Sequence, residues 1–273
     1  MEPLAQLDRL LHYRVTASEI ALLLSVAGVA GALNSIAGGG SFLSFPLLLF
    51  LGIPSVNANA TNTVALWPGT IASTGAYRKA LSVELLRRML PLVASTLAGS
   101  LVGAWLLLHT RQHTFDKLVP WLLLAGTVLF SLRGRVTGWA AKPHQGGAPA
   151  AGNVVWITVA QGLLGVYVGY FGAGVGIVML PLLVLMGVEN IHSMSGLRTL
   201  IVTCGNAVAV AVFVLAHAVY WPQALLMTLG ASAGGYAGAY WAQKMQPRTV
   251  SYLVITIGSA MSLFFFWKTY VAW

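Results

Sequence analysis

Ala37-Gly38-Gly39-Gly40-Ser41-Phe42-Leu43-Ser44-Phe45-Pro46-Leu47-Leu48-Leu49-Phe50-Leu51-Gly52 is a glycine cluster, an apolar run broken by proline, and a closing glycine. The same order returns 135 positions later as Gly172-Ala173-Gly174-Val175-Gly176, Pro181-Leu182-Leu183-Val184 and Gly187. Neither apolar run, 41–51 or 176–187, is long enough to cross a hydrocarbon core of about 30 Å, which asks for about 20 helical residues. Each reads as a re-entrant or broken half-length helix. Short, glycine-interrupted segments at matching positions of two halves are the sequence mark of a transporter's binding site.

The surroundings are membrane-grade. Hydrophobic residues make up 58% of the 273 and charged residues 8%, with a mean hydropathy of +0.80. A soluble domain carries roughly a quarter charged residues, so this composition cannot cover a surface that faces water. In a soluble protein the net charge of +9 would suggest nucleic acid. Here the basic residues lie between apolar spans, which is the positive-inside bias of a membrane protein, and no nucleic-acid partner is implied. The one cysteine, Cys204, excludes disulfides and thiolate clusters. The first nineteen residues are too polar for a cleavable leader. Leu4, Leu7, Leu10 and Leu11 against Asp8, Arg9 and Arg14 instead suggest a surface helix over 1–17.

Candidate membrane spans are 18–36, 57–76, 89–108 and 118–133, then 152–171, 193–216, 223–243 and 250–267. The fold class is therefore all-α and polytopic, with eight spans and two short broken helices in the lipid bilayer. A repeat over 18–133 and a second over 151–273 are joined by a Gly/Pro-rich linker at 134–150. The repeat runs past the glycine motif without insertion: Ala72 matches Ala207, Leu90 matches Leu225, Gly99 matches Gly234 and Gly103 matches Gly238. The last two pairs form Gly-x-x-x-Gly in each half, a spacing that lets helix backbones approach closely. Intrachain packing is the first reading of it, and a homodimer seam the second. Lysine and arginine counts fit both parallel and inverted repeats. One contrast favours inversion: loop 77–88 holds Arg78, Lys79, Arg87 and Arg88, whereas its mate 212–223 holds no basic residue.

Three consecutive glycines do not belong to a continuous helix, since each costs about 1 kcal/mol relative to alanine. They suit an unwound stretch that opens a new half-helix, whose free N–H groups and positive dipole end form an anion site. The expected oxyanion ligands are the backbone at Gly38, Gly39, Gly40 and Ser41 and at Ala173, Gly174, Val175 and Gly176. Asn34, Asn59, Thr61, Asn62, Ser193 and Ser195 would orient the anion, with Tyr170 beside them. Asn57, Thr63, His192 and Thr199 belong to the same polar clusters. Arg198 lies deepest in a span of all the basic residues and forks an oxyanion well. Snorkelling from the first turn of its helix is the other role open to it. The acids are Glu2, Asp8, Glu19, Glu84, Asp116 and Glu189, none of them mid-span, so a buried carboxylate relay is not expected. His109, His113 and His144 lack metal-ligand spacing. No P-loop, Ser-His-Asp set or carboxylate pair offers catalysis, and neither a metal nor a cofactor is implied.

The stretch from Ala37 to Pro54, followed by Asn57-Ala58-Asn59-Ala60-Thr61-Asn62 and Pro68-Gly69, resembles the TauE/SafE family of sulfite and organosulfonate exporters. Gly172 to Gly176 with Pro181 and Gly187 is similar to that family's second repeat, departing from a triple glycine at Val175. The resemblance implies a secondary transporter of small sulfur-containing anions such as sulfite or sulfoacetate. It would work outward across the cytoplasmic membrane and hold its substrate between the repeats. A passive anion channel and a membrane sulfur-relay protein built on Cys204 are the rival readings.

Overall fold

The computed structural model describes residues 16–132, 151–188, 190–242 and 247–271. The expected surface helix over 1–17 falls almost wholly outside the described residues, as do the linker 134–150 and Glu189. Within them lie ten α-helices, one 3₁₀ turn at Arg78–Ala80, and no strand. The helices are α1 (Ala17–Ala37), α2 (Ser41–Phe50), α3 (Ser55–Ala76), α4 (Val83–His109) and α5 (Gln112–Ser131). After the linker come α6 (Ala151–Tyr170), α7 (Val175–Leu185), α8 (Ile191–Leu215), α9 (Trp221–Ala242) and α10 (Pro247–Tyr270). The order long, short, long, long, long thus occurs twice.

Local chemistry sets the ends of these helices. Thr16 opens α1 with a capping box: its hydroxyl accepts the Glu19 N–H, and the Glu19 carboxylate accepts the Thr16 N–H at 2.8 Å. Ser82 caps α4 by accepting the Leu85 N–H. This start lies six residues before the apolar window 89–108, because Glu84, Arg87 and Arg88 are good helix formers that a hydropathy window leaves out. The two short helices end identically. Gly52 and Gly187 take left-handed φ of 78° and 79°. Ile53 N–H then bonds Leu48 O, and Val188 N–H bonds Leu183 O. This is the Schellman reversal that glycine permits.

Five helical stretches are long and apolar enough to cross a membrane by length and composition: Ala17–Ser35, Val83–His109, Gln112–Ser131, Ser193–Leu215 and Tyr252–Tyr270. Polar side chains sit inside, with Ser44, Asn59, Thr61, Asn62 and Gln161 buried, while Trp156, Leu163, Leu215 and Leu229 are exposed. An exterior of large apolar side chains, with polar ones held inside among apolar neighbours, belongs to lipid, not water. The protein is a multi-pass membrane protein.

Small residues bring the long helices together. The α1 and α9 backbones run parallel and touch at Gly28–Gly234 and Ala32–Gly238, with Ser35 donating to Gly235 O at 2.9 Å. The α4 and α6 backbones run parallel and touch at Gly99–Gly162 and Gly103–Val166, with Ser100 donating to Gly165 O at 3.2 Å. Both Gly-x-x-x-Gly motifs are therefore intrachain seams. Two other pairings are antiparallel. On α3 and α8, Trp67 donates to Thr203 O at 3.0 Å, while Asn57 at the start of α3 donates to Ala218 O just past the end of α8. On α5 and α10, Gly258 lies over Thr127 and Tyr270 donates to Lys117 O. The largest helix packings come in matched pairs, α1 on α9 with α6 on α4, and α3 on α9 with α8 on α4.

Candidate functional site

Between the starts of the two short helices lies a cavity of about 50 Å³. A single water occupies roughly 10–15 Å³ on such a measure, so the space suits an ion of a few atoms. Its lining comes from both halves. Asn34, Gly38 and Ser41 line it from the α1–α2 break, and Thr63, Leu66, Thr70 and Ser73 from one face of α3. From the other half come Phe171, Gly172, Val175 and Gly176 at the α6–α7 break, with Arg198, Thr199, Val202 and Asn206 on α8.

The first wall is a hydrogen-bonded chain. Ser44 donates to Asn62 Oδ1 at 2.5 Å, and Asn62 Nδ2 donates to Ser41 Oγ at 3.2 Å. Asn62 is 1% exposed and lies behind the cavity lining. Because Ser41 accepts from Asn62, its own proton is left to point into the cavity. The second wall carries charge. Arg198 is 7% exposed, and its stem crosses the first turn of α7: a Cβ at Gly176 would stand 3.1 Å from Arg198 Cδ. Glycine at 176 thus admits the arginine. Ser41 and Gly176 are repeat mates, as are Thr63 and Arg198.

The glycines of the first break divide their work. Gly38 takes a φ of 77° and its N–H is engaged by Asn34 O at 2.9 Å, so it is a helix C-cap and not a free donor. Gly39 and Gly40 are buried and lie off the cavity lining. A side chain at Gly39 would strike Val254, and one at Gly40 would strike the Ala30 carbonyl. Gly40 has ordinary helical dihedrals (φ −60°), and its mate Val175 is the first residue of α7. The valine that stands where Gly40 has its mate is therefore explained by packing: in the first half the Ala30 carbonyl lies against that position. In the second break the left-handed residues are Gly172 (φ 73°) and Gly174 (φ 76°).

Other expected ligands are used elsewhere. Asn59 donates to Tyr170 O at 2.9 Å, and Thr61 accepts the Tyr220 N–H at 3.0 Å, which ties α3 to the start of α9. The Tyr170 ring meets Phe115 edge-on at 5.7 Å, with its hydroxyl 3.3 Å from Thr110. Ser193 donates to Ala80 O at 2.9 Å, and Ser195 supplies its carbonyl to Thr199. The Ala173 carbonyl accepts the Tyr167 hydroxyl at 2.9 Å. Asn59, Thr61, Tyr170, Ala173, Gly174, Ser193 and Ser195 are absent from the lining, and the His192 side chain is outside the described residues. Thr70, Ser73, Phe171, Gly172 and Asn206 line it without having been expected. Their signal was helical spacing: Thr63, Leu66, Thr70 and Ser73 share a stripe on α3, and Thr199, Val202 and Asn206 one on α8. Among the described residues no group of histidine, cysteine and acid could hold a metal.

A polar cavity flanked by two half-length helices inside an apolar bundle defines the class, a multi-pass membrane transporter. The sequence model of the family described as sulfite exporter TauE/SafE matches residues 23–265, and the chain belongs to that family. It is 29% identical over 249 residues to the probable membrane transporter protein ORF9 of Sinorhizobium sp, covering 89% of this chain and 91% of the relative. The probable membrane transporter protein YfcA of Escherichia coli K12 is 26% identical over 243 residues, covering 89% and 88%. A probable membrane transporter protein of Haemophilus influenzae is 26% identical over 221 residues, covering 81% and 84%. No solved structure matches the chain.

Proposed function

We propose that this transporter carries a small sulfur oxyanion, sulfite or a compact organosulfonate, outward across the cytoplasmic membrane. The observation that carries the reading is the pairing of a buried Arg198 with the oriented Ser41 hydroxyl across one cavity, at the starts of α2 and α7. Helix starts favour negative charge by about 0.3–1 kcal/mol each, and a guanidinium adds a charge-assisted fork. The volume fits sulfite directly. A longer sulfonate needs the α1–α2 or α6–α7 break to move.

The halves are read as inverted repeats of five crossings each, four long spans and one short element, α2 or α7, that crosses in partnership with a broken neighbour. Mated helices α3 and α8 run antiparallel, and so do α5 and α10, as an axis in the membrane plane requires. A parallel repeat would set mates in the same direction. Helices α3, α6 and α9 complete the eight long spans, α3 being less apolar because its asparagines and threonines face inward. An inside-negative potential drives a departing anion with about 2.3 kcal/mol per charge per 100 mV, which favours export. Both glycine motifs are used within the chain, so a homodimer would form on another face.

The test is a thermal-shift series on purified protein with sulfite, sulfoacetate, taurine, thiosulfate and sulfate. Stabilisation by at least one oxyanion is expected, and flat melting curves throughout would remove the reading. Counterflow in proteoliposomes then separates carrier from channel, because only a carrier accelerates uptake when substrate is preloaded inside.

A further inference from the structure

Five hydroxyl-bearing residues line the cavity, and four of them have already placed their protons inside the protein. Thr63 donates to Asn59 O at 2.9 Å, Thr70 to Trp67 O at 2.7 Å and Thr199 to Ser195 O at 2.8 Å. Ser73 lies 2.9 Å from Gly69 O and 2.7 Å from the Ser35 hydroxyl, which itself reaches Gly235 O. A hydroxyl has one proton and two lone pairs, so these four have only lone pairs left to offer the cavity. Three of them, Thr63, Thr70 and Ser73, form a ladder along α3. Ser41 is the exception, with its proton free. The Asn34 and Asn206 amides can present either edge.

A fully ionised oxyanion only accepts hydrogen bonds. Held by Ser41 and Arg198, it would still set its remaining oxygens against the α3 lone pairs. Buried acceptors that face acceptors lose the hydrogen bonds they had to water, at about 1–3 kcal/mol each. Resting on the anion-site reading above, we propose that the site selects oxyanions that keep a hydrogen-bond donor of their own. That donor is an N–H, an alcohol O–H or the proton of a singly ionised acid. The oxyanion oxygens face Ser41 and Arg198, and the donor faces Thr63, Thr70 and Ser73. Selection then follows the donor and not charge alone.

Sulfamate and methanesulfonate make the test, because they share charge and nearly share shape while NH₂ replaces CH₃. Binding of each to the purified wild-type protein is measured by calorimetry. Sulfamate is expected to bind about tenfold tighter, the worth of one satisfied buried hydrogen bond near charge. Equal affinities would overturn donor selection and leave the anion site standing. If Arg198→Gln changes neither affinity, or if neither compound binds, the anion site itself falls and the inference falls with it. Thr70→Val keeps the volume and removes the lone pairs, so it should weaken sulfamate several-fold and leave methanesulfonate unchanged. Thr70→Ser should restore the preference. Should the valine variant fail to fold, the wild-type ratio still decides.

Discussion

Helices α2 and α7 stop in the same way and start differently. Their C-terminal reversals match bond for bond, Ile53 to Leu48 and Val188 to Leu183, over glycines with φ within a degree of each other. At their starts, Ser41 faces the cavity in one half and Gly176 in the other, with Thr63 and Arg198 lining it beside them. Reversals are backbone problems with one economical solution, and both copies keep it. The starts face a cavity whose occupant need not be symmetric, so there the copies have diverged into a hydroxyl donor and a buried cation. The backbone frame is shared, and the side chains at its two starts make the chemistry lopsided.

The shared frame is where the largest effects are expected. Gly234→Leu would push a side chain into the Gly28 carbonyl, and Gly99→Leu would push one into the Gly162 carbonyl. Backbone cannot step aside as a side chain can, so each should cost about 3 kcal/mol or more. Folded yield, followed by fluorescence-detected size exclusion, should drop for both. Gly75→Ala is the control: nothing lies within 4 Å of a Cβ placed there, and its yield should hold. A collapse in one half alone would break the equivalence of the α1–α9 and α4–α6 seams.

Most of the frame was legible in the sequence, because hydropathy and glycine punctuation act through local rules. The two short runs and the long helices follow from spacing. Gly-x-x-x-Gly spacing fits an intrachain or a dimer seam, and it is the structure that puts Gly99, Gly103, Gly234 and Gly238 within the chain. The site was only partly legible. Asn34, Gly38, Ser41, Val175, Gly176 and Arg198 reach the cavity, whereas Asn59, Thr61, Tyr170, Ser193 and Ser195 have partners contributed by distant segments. Sequence shows that a polar side chain inside lipid needs a partner but not which carbonyl supplies it. Asn59 and Tyr170 O are 111 residues apart. Thr70 and Asn206 lie about a turn or two beyond the polar clusters that follow the short runs, and only the crossing of α3 over α8 brings them to the cavity.

The lopsided chemistry predicts unequal losses. Arg198→Gln removes the charge but keeps a donor. It should weaken the best oxyanion ligand about tenfold to a hundredfold, since hydrogen bonds to charged groups are worth about 1.5–3 kcal/mol. Titration calorimetry with sulfite reads this directly. Unchanged affinity would show that the guanidinium only packs over Gly176.

The serine side should respond more gently, and its response also tests the Ser44–Asn62–Ser41 chain. Ser41→Ala deletes one neutral donor and should cost about 1 kcal/mol, roughly fivefold in affinity. Asn62→Ala never touches the ligand, and Ser44 keeps an acceptor in Gly40 O at 3.1 Å, so the fold should survive. Its effect on binding comes only through Ser41, whose proton can then rotate away or whose lone pair can turn to the anion. The double variant should therefore bind no worse than Ser41→Ala alone, giving a coupling close to the whole effect of Asn62→Ala. Groups without shared partners add their losses within about 0.3–0.5 kcal/mol. Additive losses at Ser41 and Asn62 would mean that the asparagine acts on the cavity by some route other than orienting the serine, and the two short-helix starts would then differ in charge alone.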